Sequence, residues 1–337
     1  MYIFYNASCN WEKDYILKEL FPFAKVILIN SVQMININFY KKLLQNNEHI
    51  IKNNCIFVLG GLIHGNLNDK KDPCSTFVTS VYNNKNYLHR FRYIEFKKIL
   101  EYLKPIVTFV LSDEYGQISY LDNLGYKTKL LVRNYYHHNY YDLKYFSKPT
   151  NIIWHPLGYN SNFLKHNSWI KNSIDSRNQG IYDISKKKYI WSFIGNIDKN
   201  ESRINMINSL KNITPNFYNN NISKEEMFKI YSQSLIVLNT RGWESLDCFR
   251  LYETVVAGAI PLLIVNKNEA HRTFLKEENP PWIFCESLAE AHSICLYLCN
   301  NLHIAQHKIN QNRKWWIKRI TNVRKQILDV VYNNMSY

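Results

Sequence analysis

The sequence predicts an α/β protein of two domains, each a parallel sheet covered by helices. Three observations lead there. Short apolar runs alternate with helical patterns through both halves of the 337 residues, and strands alternating with helices form parallel sheets covered on both faces. A polar stretch dominated by Ser, Asn and Lys, Lys165–Lys188, separates the halves and reads as a linker. Polar or glycine-rich loops follow the apolar runs, on the edge where open α/β sheets bind ligands.

In the first half, Lys25–Ile29, Cys55–Leu59, Ile106–Leu111, Thr128–Val132 and Asn151–Trp154 are apolar runs of strand length. Tyr15–Leu20, Phe39–Ile51 and Tyr93–Tyr102 carry helical spacing between them. Four strand ends run into Gly60-Gly61-Leu62-Ile63-His64-Gly65, Ser112-Asp113-Glu114-Tyr115-Gly116, Arg133-Asn134-Tyr135-Tyr136-His137-His138 and His155-Pro156-Leu157-Gly158-Tyr159. Loops are polar in most proteins, so it is the succession of four that singles them out. Asp113 and Glu114 are adjacent, and on extended backbone only one of them points into a cleft. The ordinary alternative is a helix cap or turn formed by Asp113.

In the second half, Tyr189–Ile194 opens a new sheet and runs into Gly195 and Asn196, with Ser202 and Arg203 at the start of a helical pattern ending at Leu210. Glycine lets backbone approach a ligand, and the first turn of a helix aims donors at phosphate. Ile213–Phe217 is a short strand, and Ser223–Tyr231 a helix with Ser223 as cap and Glu226 in the capping-box position. Trp282–Cys285 is a last strand and Leu288–Cys299 a helix. The tail His303–Tyr332 is one long amphipathic helix or two, with Trp316, Ile320, Val323, Ile327 and Val330 on its inner face. Its run of Lys and Arg is read as a solvated face.

The centre of the second half is one βαβ unit. Leu235–Leu238 is a strand, Asn239–Ser245 a loop, Leu246–Ala257 a helix closed by Gly258, and Ala259–Val265 the next strand. Asp247, Arg250, Glu253 and Thr254 are spaced to share one side of that helix. Free N–H groups and the positive dipole end favour a phosphate there, Arg241 and Arg250 add charge-assisted bonds to a diphosphate, and Glu253 accepts from sugar hydroxyls. The ordinary alternative is an ion pair between Arg250 and Glu253.

The string Ser245–Pro261, S-L-D-C-F-R-L-Y-E-x-x-x-A-G-A-I-P, resembles the donor segment of exostosin-like glycosyltransferases, closest to the ribitol xylosyltransferase branch. The S-D-E, R-x-Y-Y and P-L-G-Y segments of the first half and the F-x-G…S-R segment around Gly195 and Arg203 are similar to the same branch. The resemblance implies the GT-B architecture, two Rossmann-like domains facing across a cleft, divided as 1–165 for the acceptor and 166–310 for the nucleotide-sugar. A terminal helix, 311–337, crosses back. It implies an inverting transferase that moves a sugar from a UDP-sugar, UDP-xylose by resemblance, to a hydroxyl of a glycan or polyol-phosphate. Arg203, Arg250 and Lys199 or Arg241 neutralise the leaving diphosphate, with Gly195, Asn196, Ser202 and Asp247 around it and Glu253 on the ribose. Glu114 is the preferred base, then Asp113, then His137. Arg133, Tyr136, His137, His155 and Tyr159 face the acceptor.

Composition bounds the rest. At 46% hydrophobic and 20% charged the chain is globular. It has no apolar run of membrane-spanning length and no leader-like N-terminus, so a cytoplasmic location is expected. Seven scattered cysteines suit free thiols in a reducing compartment. Cys295 and Cys299 with His292 and His303 could hold a metal, but core packing is the ordinary reading. No Asp-x-Asp occurs, so no obligatory metal is expected. The net charge of +15 accompanies an Asn-, Lys-, Ile- and Tyr-rich composition of the kind an AT-rich genome, such as a large DNA virus, produces. No basic patch interleaved with aromatics repeats, so no nucleic-acid partner is expected. No G-x-G-x-x-G follows the early strands, which disfavours a dehydrogenase. The rivals are a same-fold transferase with another donor, an inactive protein retaining the donor pocket, and a nucleic-acid-binding protein.

Overall fold

The computed structural model describes residues 1–6, 11–30, 33, 36–45, 51, 55–59, 95, 97–111, 128–136, 152–164, 180–197, 201–220, 222–242, 245–274, 277 and 279–334. Gly60–Gly65, Asp113, Glu114, His137 and Lys199 lie outside them. The chain divides into two compact units. One comprises Met1–Asn10, Phe21–His155 and Val323–Tyr337, the other Trp11–Leu20 and Pro156–Asn322.

The first unit holds six parallel strands, β1 (Tyr2–Asn6), β2 (Lys25–Ile29), β3 (Cys55–Leu59), β4 (Val107–Val110), β5 (Leu130–Arg133) and β6 (Ile152–Trp154), in the order β2-β1-β3-β4-β5-β6. All five expected strands are present, with β2 and β3 at their expected bounds. β1 was not expected: its YIFYN sequence was weighed only as a leader, yet it lies between β2 and β3, with Ile3 paired to both Val26 and Ile56. β4 and β5 are buried along their whole length, as parallel strands covered on both faces must be. Helix α1 (Ile37–Leu44) begins two residues before Phe39 because the Asn36 side chain accepts from the N–H groups of Asn38 and Phe39. The core gathers Phe4, Tyr40, Cys55, Phe57, Ile99, Leu103 and Leu131.

The second unit holds five parallel strands, β7 (Tyr189–Ile194), β8 (Asn216–Asn219), β9 (Ser234–Asn239), β10 (Ile260–Ile264) and β11 (Ile283–Cys285), in the order β11-β10-β9-β7-β8. Helices α2 (Glu201–Leu210), α3 (Lys224–Ser232), α4 (Phe249–Val256), α5 (Lys267–Thr273) and α6 (Leu288–Asn300) follow the strands in turn. Ser223 caps α3 by accepting from Glu226 N–H, as expected. The chain goes from β7 outward to β8, then returns to β9 on the other side of β7. With right-handed crossovers, α2 covers one face of the sheet while α3 and α4 cover the other; α6 packs on α2, and α3 on α4.

Two further pieces complete this unit. The π-helical segment Tyr15–Leu20 brings Tyr15 against Tyr159 and Trp316, and Trp316 in turn packs on Tyr252. Helix α7 (Leu302–Asn334) is a single helix, of which the residues up to Asn322 belong to this unit and those from Val323 on to the first. Its buried face runs Trp316, Ile320, Val323, Ile327 and then Val331, the last a residue beyond the expected Val330.

The polar stretch read as a linker is not all solvated. The Lys187 ammonium donates to the carbonyls of Ile181, Ser232 and Gly258 at 2.9, 2.9 and 2.7 Å, tying the ends of α3 and α4 to the segment before β7. Gly258 has a φ of +77°, and a β-carbon there would meet the Ile181 carbonyl.

Candidate functional site

The reversal of chain direction at β7 puts a crevice beyond the carboxyl ends of β7 and β9, the switch point where doubly wound sheets bind ligands. Gly195 and Asn196 follow β7, and Thr240 and Arg241 follow β9. Arg203 and Arg250 reach this place from opposite faces of the sheet. Arg203, in the first turn of α2, donates from Nε to Thr240 Oγ1 at 3.1 Å and from its terminal nitrogens to the carbonyls of Asn196 at 2.6 Å and Arg241 at 2.7 Å. Arg250, in the first turn of α4, donates from Nε to the Ile194 carbonyl at 3.1 Å. Both guanidiniums lie over the Phe193 ring, at 4.7 Å for Arg250 and 5.9 Å for Arg203, as cations do over aromatic faces. Burial, and after it the charge of Arg250, pushes Arg203 below the ordinary arginine range. No carboxylate of the described residues forms an ion pair with Arg250.

Gly195 is required by this packing: a β-carbon there would stand 2.5 Å from a terminal nitrogen of Arg250. The N-terminus of α4 is open. Its cap residue is Cys248, which makes no side-chain capping bond, whereas Asn36, Ser223, Asn266 and Ser287 cap α1, α3, α5 and α6. The Cys248 thiol contacts the Thr240 carbonyl at 3.9 Å, and burial pushes it up to about 11. Uncapped N–H groups beside two guanidiniums are an arrangement that can receive an anion.

Glu253 lies a turn deeper and is almost fully buried. Its Oε1 accepts from Asn160 N–H at 3.2 Å and stands 4.0 Å from the Lys224 ammonium. Burial raises its pKa, while Lys224, the Asn160 N–H and Arg250 oppose the rise. Arg250 and Glu253 therefore do not form the ordinary helix pair, since each has other partners. Lys224 was not foreseen, because the start of α3 was read only for its cap.

Three donor-side expectations change. Asp247 precedes α4 instead of sharing its face; buried, it accepts from the Tyr252 hydroxyl at 2.8 Å and so fixes the helix from inside. Arg241 directs its side chain to an exposed ion pair with Glu269, while its carbonyl accepts from Arg203 in the crevice. Asn196 and Ser202 are exposed at the rim, where Asn196 contributes its carbonyl.

The acceptor-side residues divide. Arg133 ends β5, and its pairing with Trp154 of β6 brings Arg133, Tyr136, Trp154 and His155 together. The Arg133 guanidinium lies 5.9 Å from the Trp154 ring and Tyr136 packs edge-on against it at 5.1 Å. Both Arg133 and His155 are buried, and His155 packs on Phe109 at 5.6 Å. Tyr159 belongs elsewhere. It is buried in the second unit, donates to Glu19 Oε1 at 2.6 Å and packs on Tyr15. The resemblance placed it facing the acceptor, but its hydroxyl satisfies a buried carboxylate 140 residues away in sequence. Cys285 and Cys295 are buried, and among the described residues no cluster of three metal-ligating side chains occurs. No described helix is long and apolar enough to cross a membrane.

No protein-family model and no curated protein matches the sequence. Solved structures do match the fold. An α-glucosyltransferase bound to UDP and a 13-mer DNA with a central A:G mismatch aligns over 98% of this chain and 99% of its own, with a TM-score of 0.57 at 9% identity. An α-glucosyltransferase bound to UDP-glucose and DNA containing an abasic site aligns over 98% of each chain, at 0.57 and 10% identity. A complex with UDP alone aligns over 98% and 99%, at 0.54 and 8%. None of these is an exostosin or a xylosyltransferase, so that resemblance rests on the sequence segments alone. With two parallel, helix-covered sheets in one chain, the protein has the GT-B fold of the glycosyltransferases.

Proposed function

We propose that the protein transfers a sugar from a UDP-sugar to an acceptor hydroxyl. The observation that carries this reading is the convergence of Arg203 and Arg250, from opposite faces of the sheet, on the β7–β9 switch point beside the uncapped start of α4. A diphosphate placed there meets two guanidiniums and free helix N–H groups, and its charge relieves their mutual repulsion. As the bond between the anomeric carbon and the phosphate oxygen breaks, negative charge grows on the leaving UDP, and the same groups stabilise it without an obligatory metal. Glu253 accepts a ribose hydroxyl through Oε2, which accepts no hydrogen bond among the described residues. The acceptor oxygen attacks the anomeric carbon and gives its proton to Glu114 or Asp113, with His137 the third candidate. A single displacement inverts the anomeric centre. Gly195 and Ser202 frame the phosphates, and Arg133, Tyr136 and His155 support the acceptor side.

The sugar is xylose on the resemblance of Ser245–Pro261 and glucose on the likeness to one UDP-glucose-bound structure. The acceptor is a glycan or polyol-phosphate on the same resemblance. A second reading, a hydroxyl carried on DNA, is favoured by the DNA in two of the similar structures and by the +15 charge. The test is hydrolysis of a panel of UDP- and GDP-sugars with and without EDTA, with Glu253→Ala as control, followed by transfer to glycan and hydroxymethylated duplex acceptors. Turnover of one UDP-sugar that survives EDTA and falls in the variant supports the proposal. Failure of every nucleotide to bind overturns it.

A further inference from the structure

Trp11 has a fixed backbone and an uncovered side chain. Of the described tryptophans, Trp191, Trp282 and Trp316 are buried and Trp154 and Trp315 half-buried, whereas Trp11 is 57% exposed. A single exposed apolar side chain is ordinary on a protein surface, so it is the place of Trp11 that matters. Its main chain is tied to the segment after Gly158. The Trp11 carbonyl accepts from Ser161 N–H at 2.8 Å and from Ser161 Oγ at 3.2 Å. Asp14 N–H donates to Ser161 Oγ at 3.1 Å, and Asn162 N–H to Asp14 Oδ2 at 3.1 Å.

The residue before Ser161 reaches α4. Asn160 N–H donates to Glu253 Oε1 at 3.2 Å. Hydrogen bonds and one peptide step therefore hold the Trp11 carbonyl within about 10 Å of the Glu253 carboxylate. Glu253 lies one turn along α4 from Arg250, away from the open start of the helix. With a diphosphate at that start and a ribose at Glu253, the next group of a nucleotide is its base. The base is thus the ring that comes nearest to the residues holding Glu253, Trp11 among them.

We propose that the Trp11 indole is the platform on which the base of the bound nucleotide stacks. This rests on the reading of Glu253 as the ribose contact. Stacking on an aromatic ring adds affinity for any base, because every base has a π-face. Tryptophan suits the role, since it offers a wide rigid face with few rotatable bonds to freeze. The bonds among Trp11, Asp14, Ser161 and Asn162 order the backbone before the nucleotide arrives, which lowers the cost of binding further. Affinity then divides along the ligand. The two guanidiniums and the helix start hold the diphosphate, and Trp11 holds the base.

The test is calorimetric titration of the full chain, Trp11→Ala and Trp11→Phe with UDP and with inorganic pyrophosphate. UDP affinity falls about tenfold or more in Trp11→Ala and stays within about threefold of the parent in Trp11→Phe. Pyrophosphate, which has no base, binds all three equally. Equal UDP affinity in the parent and Trp11→Ala overturns the proposal and leaves the diphosphate site standing. Parallel losses for UDP and pyrophosphate overturn it too, because Trp11 then only supports the fold around the site. A parent that binds pyrophosphate as tightly as UDP gains nothing from a base, which overturns it as well. A parent that binds neither ligand overturns the nucleotide site itself, and the platform with it.

Discussion

A terminal nitrogen of Arg250 occupies the space a β-carbon on residue 195 would need, 2.5 Å from where that atom would stand. Gly195 is thus a requirement of the Arg250 side-chain position and not of the backbone, which needs no left-handed conformation there. Gly195→Ala displaces the flexible end of Arg250 from the Phe193 ring. We expect a melting temperature close to that of the parent, within about 0.5 kcal/mol of stability, and UDP affinity about tenfold weaker from the lost charge-assisted bond. Calorimetric titration with UDP beside a thermal melt checks both. Unchanged affinity would show that Arg250 does not hold the nucleotide, and loss of fold would show that the Arg250 side chain cannot give way at residue 195.

Arg203 ties three pieces of chain with one planar group, bonding Thr240, Asn196 and Arg241 across the ends of β7 and β9. A lysine offers a point charge without the fork. Arg203→Lys is therefore expected to weaken UDP binding by about tenfold while preserving the charge. If titration finds Lys as good as Arg, charge alone is what the crevice supplies.

Gly195, Arg203, Arg250 and Glu253 stand out in the sequence because each sits in a strand-to-helix loop or the first turns of a helix, where residue type and position speak together; their part in a site is the proposal made above. That Arg203 and Arg250 meet was implied by the resemblance and not by the residues themselves, since it depends on β9 pairing with β7, a contact between strands separated by β8 and two helices. Asp247 was misassigned because the helix was started at Leu246. In the structure α4 begins only after Cys248, which turns Asp247 inward to Tyr252. Lys187 was hidden by its neighbours: in a run of three lysines nothing local distinguishes the one whose ammonium finds three carbonyls. Tyr159 shows the same limit, because its partner Glu19 lies far away in the chain.

Glu253 gives a pH dependence of known sign. Its folded pKa is raised, chiefly by burial, so between the unfolded and folded values the native state binds more protons than the unfolded one. Its contribution to stability is present below the unfolded pKa and is lost as pH rises through the folded pKa. Glu253→Gln should therefore flatten the fall in melting temperature across the window just above the ordinary glutamate pKa. A ribose hydroxyl needs the ionised carboxylate, so UDP affinity in the parent should rise over that same window and stay flat in the variant. Parallel pH profiles for the two proteins would remove Glu253 from both roles.

Lys187 is a test of architecture. Replacing its ammonium by an isosteric apolar chain, Lys187→Met, leaves the carbonyls of Ile181, Ser232 and Gly258 without their shared donor. An unsatisfied buried polar group costs about 1–3 kcal/mol, so urea denaturation should show a loss of about 3 kcal/mol or more. Because α4 carries Arg250 at its other end, UDP affinity in the surviving folded fraction reports whether the clamp also positions the site. A variant as stable as the parent would make the three bonds incidental.

Gly158 provides the contrast to Gly195. Its φ is +73°, and a β-carbon would lie 2.3 to 2.6 Å from three atoms of the Tyr15 ring. That ring cannot step aside as an arginine tip can. It is fully buried, stacked on Trp316 at 6.0 Å and edge-on to Tyr159 at 5.9 Å. The same substitution that is nearly neutral for folding at 195 should therefore cost about 2 kcal/mol or more at 158, from left-handed strain and overpacking together. Melting of Gly158→Ala measures the sum, and adding Tyr15→Leu separates the parts: relief of the clash recovers some of the loss, while the backbone strain stays. If the two substitutions combine additively, the ring and the glycine are not in contact and the packing assigned to this core is wrong.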